Sequence, residues 1–320
     1  MKVAIVGFAG SGKSTCFRVV TKKTLDEIEK LDPTKPRLGS VKIDDERLEK
    51  LKKIFNPKKL TPAEIVFEDL PGFHIPQIKD VDSIMEVVGV FSGRDPVRDI
   101  EDVDAEFIIA DLSIVDKRLA SVEKELKQEK TQEKIIEKAT LIKAKEALEK
   151  NIPLRYLEFQ EKEEKAIRGF QFLSRKPIFI IGNMGESPER SEFLPELDNF
   201  CESKHLKTVE FPAKLDAGKK EAAELVINAT CEALGYITFF TVKGSETKAW
   251  LLKRGTKALF AAGKIHTDIQ KGFMKAEVIN LKDLESCGSL HDARQKGLLK
   301  LEGKEYIIQD GDVVDFKFNV

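Results

Sequence analysis

A chain of 320 residues has room for two or three domains, and its 54 Lys and Arg stand against 55 Asp and Glu. That balance excludes a global field that would draw the whole chain to nucleic acid or to a membrane surface, so any such contact has to come from a local patch. No run approaches the roughly 18–20 apolar residues of a membrane span. Cys16, Cys201, Cys231 and Cys287 are far apart and form no CxxC pair, a usage that fits free thiols in a reducing compartment, and the expected location is the cytoplasm.

The chain opens on "VAIVGFAGSGKSTC", residues 3–16. Its apolar start lacks a basic n-region and a long h-region, so it is read as a buried parallel strand and not as a signal peptide. A helix is expected from Gly12 to about Val20. "AEIVFEDLPGF" (63–73), "EFIIADL" (106–112) and "KPIFIIGN" (176–183) repeat the pattern of a short apolar strand followed by polar or glycine-containing sequence. In open α/β sheets, ligands bind beyond such strand ends. Leu112, Val115, Leu119, Val122 and Leu126 then recur at three- and four-residue spacing among Lys and Glu, which predicts a helical hairpin or short coiled coil. Its interleaved charges read first as a solvated face. After the helix-like "KKEAAELVINATCEALG", the segments "YITFFTV", "TKAWLLK", "KAEVIN", "KEYIIQDGD" and "VVDFKFNV", with the helix-like "ALFAAGKI" among them, predict a small mixed β domain of the β-grasp kind.

"GFAGSGKS" satisfies G-x-x-x-x-G-K-[ST] from Gly7 to Ser14, between a strand and a helix. Gly7, Gly10 and Gly12 allow backbone conformations and close approaches that a Cβ would block. Amides of the stretch through Phe8, Ala9, Ser11 and Thr15 can then turn inward on phosphate oxygens. Lys13 is placed to neutralise the β- and γ-phosphates, and the Ser14 hydroxyl to ligate Mg²⁺. Asp69 and Gly72 in "EDLPGF" form a DxxG: the carboxylate would hold Mg²⁺ through water and the glycine amide would meet the γ-phosphate. "IIGNMGES" puts Asn183, Met184 and Glu186 just beyond a strand, where P-loop GTPases carry N-K-x-D. Met in place of Lys and Glu in place of Asp weaken the two-point fit to guanine, while Asn183 remains able to bond a purine, so ATP is at least as plausible a ligand as GTP.

With these motifs in order, the chain resembles the YchF or Obg-like ATPase family of P-loop proteins. "DPVRDIE", "ADL", the inserted helical arm, "NxxE" (183–186), "AKLD" (213–216) and a C-terminal run from "ITFFTV" to "LEGKEYIIQDGDVVDFKFNV" follow the family order. The resemblance implies an α/β P-loop G domain (1–112 and 174–235), a coiled-coil arm (113–173) and a ubiquitin-like β-grasp TGS domain (236–320). It also implies ATP preferred over GTP, Leu215 lining the purine site, and a link to ribosomes or RNA through the TGS domain and the arm.

Several positions depart from the family pattern. Phe73 stands where a hydrolytic GTPase often has Gln. Glu86 aligns with a family His, His74 is a candidate substitute, and the loop after DxxG is shortened to "HIPQIKD". Gly10 replaces an Asn that helps hold a monovalent cation, and switch I is reduced to "DPTKPRLGS", with Thr34 as its metal- and γ-phosphate-sensing candidate. The expectation is a nucleoside triphosphatase of slow turnover associated with translation. The alternatives are a catalytically degenerate, nucleotide-gated RNA- or ribosome-binding module, and a small-molecule kinase.

Overall fold

In the computed structural model the first apolar run forms β1 (Lys2–Val6), and the glycine loop feeds α1 (Lys13–Thr21). The chain continues through α2 (Leu25–Glu29), β2 (Arg37–Lys42), α3 (Glu46–Phe55), β3 (Lys59–Thr61), β4 (Glu64–Asp69) and β5 (Ser83–Gly89). Next come α4 (Pro96–Gln128), α5 (Gln132–Glu149), α6 (Glu161–Ile167), β6 (Ile178–Asn183), α7 (Leu194–Ser203), β7 (Lys207–Phe211) and α8 (Lys219–Ala233). The last stretch is β8 (Tyr236–Lys243), β9 (Glu246–Lys253), α9 (Ala258–Ile265), α10 (Thr267–Lys271), β10 (Phe273–Asn280), α11 (Leu281–Cys287), α12 (Leu290–Gln295), β11 (Lys300–Glu302) and β12 (Asp312–Phe318). The structure describes all residues except 31, 33–34, 71–77, 79, 92–94, 186–193, 212–218 and 320.

The first sheet has the order β2-β4-β1-β5-β6-β7, and β4, β1, β5, β6 and β7 run parallel. β1 lies between β4 and β5, so the strand order reverses around it and opens a crevice at its C-terminal end. Ile84, Val88 and Ile180 bury one face of the sheet against Ile100, Val103 and Phe107 of α4 and Leu197 and Cys201 of α7. This fold is the α/β P-loop architecture expected from the sequence.

"EFIIADL" is not a strand. It lies in the middle of α4, a 33-residue helix capped by Asp95, whose carboxylate accepts from the amides of Val97 and Arg98, with Pro96 in its first turn. Ile100, Val103 and Phe107 are buried at helical spacing while Ile109 is 62% exposed, a period that a strand of this segment could not satisfy. The strand at this place in the sheet is β5 instead. α4 and α5 form the expected hairpin, with Val115, Leu141, Ala144 and Leu148 in its core. Arg118 bridges Glu125 of its own helix and Glu137 of the other, so part of the charge pattern stitches the hairpin together.

The second sheet has the order β11-β10-β12-β8-β9-β3, with β8 and β9 an antiparallel hairpin, β12 parallel to β8, and α9 packed on its core through Ala258, Ala261 and Ala262. This is the mixed β-grasp arrangement. "KEYIIQDGD" is a turn rather than a strand: the Tyr306 hydroxyl and the Gln309 amide both donate to Asp312 at 2.8 Å, and Ile307 makes an isolated bridge to Lys257. Compact packing groups Met1, Ser40–Ile65 and Ile227–Val320 as one unit, and Lys2–Gly39 with Val66–Val226 as the other. Within the first unit, β3 pairs parallel with β9, and the Arg47 guanidinium, gripped by Asp45, reaches Asp310 at 2.8 Å.

Candidate functional site

The loop between β1 and α1 is shaped by its glycines. Gly7 (φ 136°), Gly10 (φ 83°) and Gly12 (φ 97°) have left-handed backbone. A Cβ on Gly7 would stand 2.3 Å from the Val87 carbonyl oxygen, and one on Gly12 would stand 1.9 Å from the Asn183 amide nitrogen. α1 begins with no side-chain cap and no acidic residue in its first turn, so its leading amides and the positive end of its dipole stay available to an anion. Ala9 and Gly10 are exposed at the loop tip, and Phe8 packs against the core. The Ser11 hydroxyl is buried without a hydrogen-bond partner among the described residues. The Lys13 ammonium donates to the Gly7 and Phe8 carbonyls at 2.7 and 2.8 Å, and burial pulls its pKa down against the opposing pull of Asp69.

Ser14 and Asp69 lie together: the Ser14 hydroxyl donates to the Asp69 carboxylate at 3.1 Å. Burial raises the Asp69 pKa, with the Ser14 hydrogen bond, the Arg37 guanidinium and Lys13 acting the other way. An exposed hydroxyl beside a buried carboxylate at the foot of a phosphate-shaped loop is a hard-oxygen donor pair of the kind Mg²⁺ takes. A loop with no room for a Cβ at Gly7 or Gly12, an uncapped helix start and that oxygen pair all fit a Mg²⁺-bound nucleotide phosphate.

Asn183 ends β6 and is 2% exposed. Its side-chain nitrogen donates to the Ser11 carbonyl at 2.9 Å and its oxygen accepts from the Gly185 amide at 3.1 Å. The side chain ties the end of β6 to the glycine loop. Met184 packs on the core, and its amide donates to the Phe211 carbonyl. Thr15 is half-buried on α1.

Glu86 is not brought to this cluster. It lies fully buried in the middle of β5, and its carboxyl feels the charges of Asp104, Arg155 and Asp99 rather than that of Lys13. Thr34, Gly72, Phe73, His74, Glu186 and Leu215 lie outside the described residues. Arg37, which sequence reasoning passed over, does join the site: its guanidinium donates to Asp69 at 3.2 Å and to Ser14 at 3.3 Å. An Arg two residues before the glycine of "KPRLGS" was the available signal.

A parallel sheet whose central strand feeds a glycine loop and an uncapped helix defines the class as P-loop nucleotide-binding proteins. The comparisons make the class specific. The chain is 33% identical over 368 aligned positions to "Ribosome-binding ATPase YchF" of Bacillus subtilis (strain 168), covering 100% of both proteins. It is 30% identical to "Obg-like ATPase 1" of Oryza sativa subsp. japonica, covering 100% of this chain and 92% of that one. The solved "Structure of the Schizosaccharomyces pombe YchF GTPase" superposes with a TM-score of 0.77 at 26% identity, covering 99% of this chain and 97% of that one. Residues 236–319 match the family model YchF-GTPase_C, described as a protein of unknown function (DUF933). The chain belongs to the YchF/Obg-like ATPase family. An alignment of 368 positions against 320 residues also means that the Bacillus relative carries segments this chain lacks.

Proposed function

We propose that this protein is a ribosome-associated ATPase that binds Mg²⁺·ATP in the loop from Gly7 to Thr15 and turns it over slowly. Full-length relatives named as ribosome-binding and Obg-like ATPases support the activity and the partner. The observation that carries the site is the convergence of Lys13, Ser14 and Asp69 around a loop that leaves no room for a Cβ at Gly7 or Gly12.

On this reading the loop amides bind the polyphosphate, and Lys13 exchanges the Gly7 and Phe8 carbonyls for phosphate oxygens. Ser14 and Asp69 hold Mg²⁺, with Thr34 as a further ligand; the ion supplies charge neutralisation at the phosphates. Gly72 contributes its amide. Asn183 fixes the base-side loop, where Met184, Glu186 and Leu215 set the preference for ATP over GTP. The arm and the TGS domain carry the contact with ribosome or RNA, under the division into 1–112 with 174–235, 113–173 and 236–320.

Slow turnover follows from the absence of the usual Gln at Phe73 and from the burial of Glu86 beside Asp104 and Arg155, which leaves His74 as the remaining candidate to handle the attacking water. The same burial favours a second reading, a nucleotide-gated binding module without turnover. Titration of labelled ATP, GTP and ADP with Mg²⁺, together with phosphate release, tests both. Tight ATP binding with slow release supports the ATPase, binding without release supports the module, and a guanine preference overturns the assignment of the base site.

A further inference from the structure

Asp69 is a carboxylate whose side chain is 4% exposed, at the C-terminal end of β4, and a buried negative charge needs a cation or hydrogen bonds close by. Arg37 supplies one. From the first residue of β2 its guanidinium reaches the same carboxylate oxygen, Oδ2, that accepts from the Ser14 hydroxyl, and it also donates to that hydroxyl's oxygen. One nitrogen, Nη1, makes both contacts, so a single cationic group spans the pair of oxygens read above as the metal ligands. Lys13, by contrast, is directed at the Gly7 and Phe8 carbonyls.

We infer that Arg37 is a resident counter-cation of the metal site, competing with Mg²⁺ for Ser14 and Asp69, so that loading Mg²⁺·ATP requires the Arg37 side chain to leave. The inference rests on the proposed reading of Ser14 and Asp69 as metal ligands. Its physical basis is direct. A hydroxyl oxygen and a carboxylate oxygen engaged by a guanidinium cannot offer the same lone pairs to a divalent ion or to the water that bridges to it. Two cations held within a few ångströms also repel each other. Arg37 is 21% exposed at its side chain and starts a strand, so it can swing toward solvent without opening the core. The outcome is a metal site that stays charge-paired in either arrangement, and a strand whose first residue registers which cation is in place.

The test is a Mg²⁺ titration of the full-length protein at fixed fluorescent ATP, with a parallel ATP titration in EDTA, for wild type, Arg37→Gln and Arg37→Lys. Removing one pair of contacts worth about 1.4 kcal/mol should lower the half-saturating Mg²⁺ of Arg37→Gln about tenfold. The affinity in EDTA should stay unchanged, and Arg37→Lys should fall between the two. An unchanged Mg²⁺ requirement in Arg37→Gln overturns the inference while leaving nucleotide binding intact. An equal loss of ATP affinity with and without metal also overturns it, because Arg37 would then be a phosphate clamp. Failure of wild type to bind ATP under any condition takes down the nucleotide reading and this inference together.

Discussion

The side-chain nitrogen of Asn183 donates to the Ser11 backbone carbonyl at 2.9 Å, across 172 residues of sequence. This one bond joins the end of β6 to the middle of the phosphate loop, and the left-handed Gly12 is what lets the amide come so close. Asn183 is thus a structural strut for the glycine loop.

Gly12→Ala should therefore be costly for two separable reasons. The new Cβ falls 1.9 Å from the Asn183 nitrogen, and the backbone at φ 97° is unfavourable for any L side chain. Together these should cost about 2–4 kcal/mol in urea unfolding. Asn183→Ala alone should cost about 1–3 kcal/mol by leaving the Ser11 carbonyl and the Gly185 amide unpaired. The double variant should lose less than the sum, because the clash is gone while the φ strain stays. Strict additivity would mean that the two residues do not meet.

Lys13→Ala should leave the melting temperature nearly unchanged, since among the described residues the ammonium bonds the carbonyls of Gly7 and Phe8 and burial already opposes its charge. ATP affinity should drop by about 2–3 kcal/mol, on the order of 30- to 150-fold, from the loss of charge-assisted bonds to phosphate. Calorimetric titration reads the change directly, and retention of wild-type affinity would place the phosphates elsewhere.

What the sequence makes legible follows the range of the interactions. The phosphate loop is readable because its glycines are required locally, by backbone sign and by nearby atoms, and its strand and helix flank it within a few residues. "EFIIADL" misleads because seven mostly apolar residues fit either period. Only the exposure of Ile109 beside buried Phe107 and Ile108 shows the helix, and that depends on what α4 packs against. β5 escapes notice because Glu86 breaks an otherwise apolar run at a position where burial, not polarity, wins. Arg37 escapes because its partners are 23 and 32 residues away, and no spacing rule connects an Arg at the start of an expected loop to a P-loop serine.

Asp111 anchors the base of the helical hairpin. Fully buried on α4, it accepts from the Leu173 amide at 2.9 Å, the Ser174 amide at 2.8 Å and the Ser174 hydroxyl at 2.7 Å. Asp111→Ala would strand two buried amides, a loss of about 2–5 kcal/mol. Hydrogen exchange should show the faster opening first around Leu173 and Ser174. Protection there equal to wild type would mean that the turn is held by other contacts.

Glu86 gives the clearest pH signature. It has no exposure and neither carboxyl oxygen has a hydrogen-bond partner among the described residues. Burial raises its pKa well above the ordinary value of 4.5; Asp104 and Asp99 of α4 push the same way, and Arg155, which is paired with Asp104, opposes them. On α7, the thiol of Cys201 is pushed up to about 12 by burial first and by Glu86 second. The sign follows from proton counts: above the ordinary pKa the unfolded chain releases the Glu86 proton while the folded chain keeps it. Stability therefore falls as pH rises, by about 1.4 kcal/mol per pH unit, until the folded pKa is passed, and is level beyond. Glu86→Gln keeps the shape and removes the titration. Its stability advantage over wild type should be small near pH 4 and grow with rising pH. Urea unfolding of both proteins across that range decides it, and parallel curves would mean that Glu86 binds its proton equally well in the folded and unfolded chain.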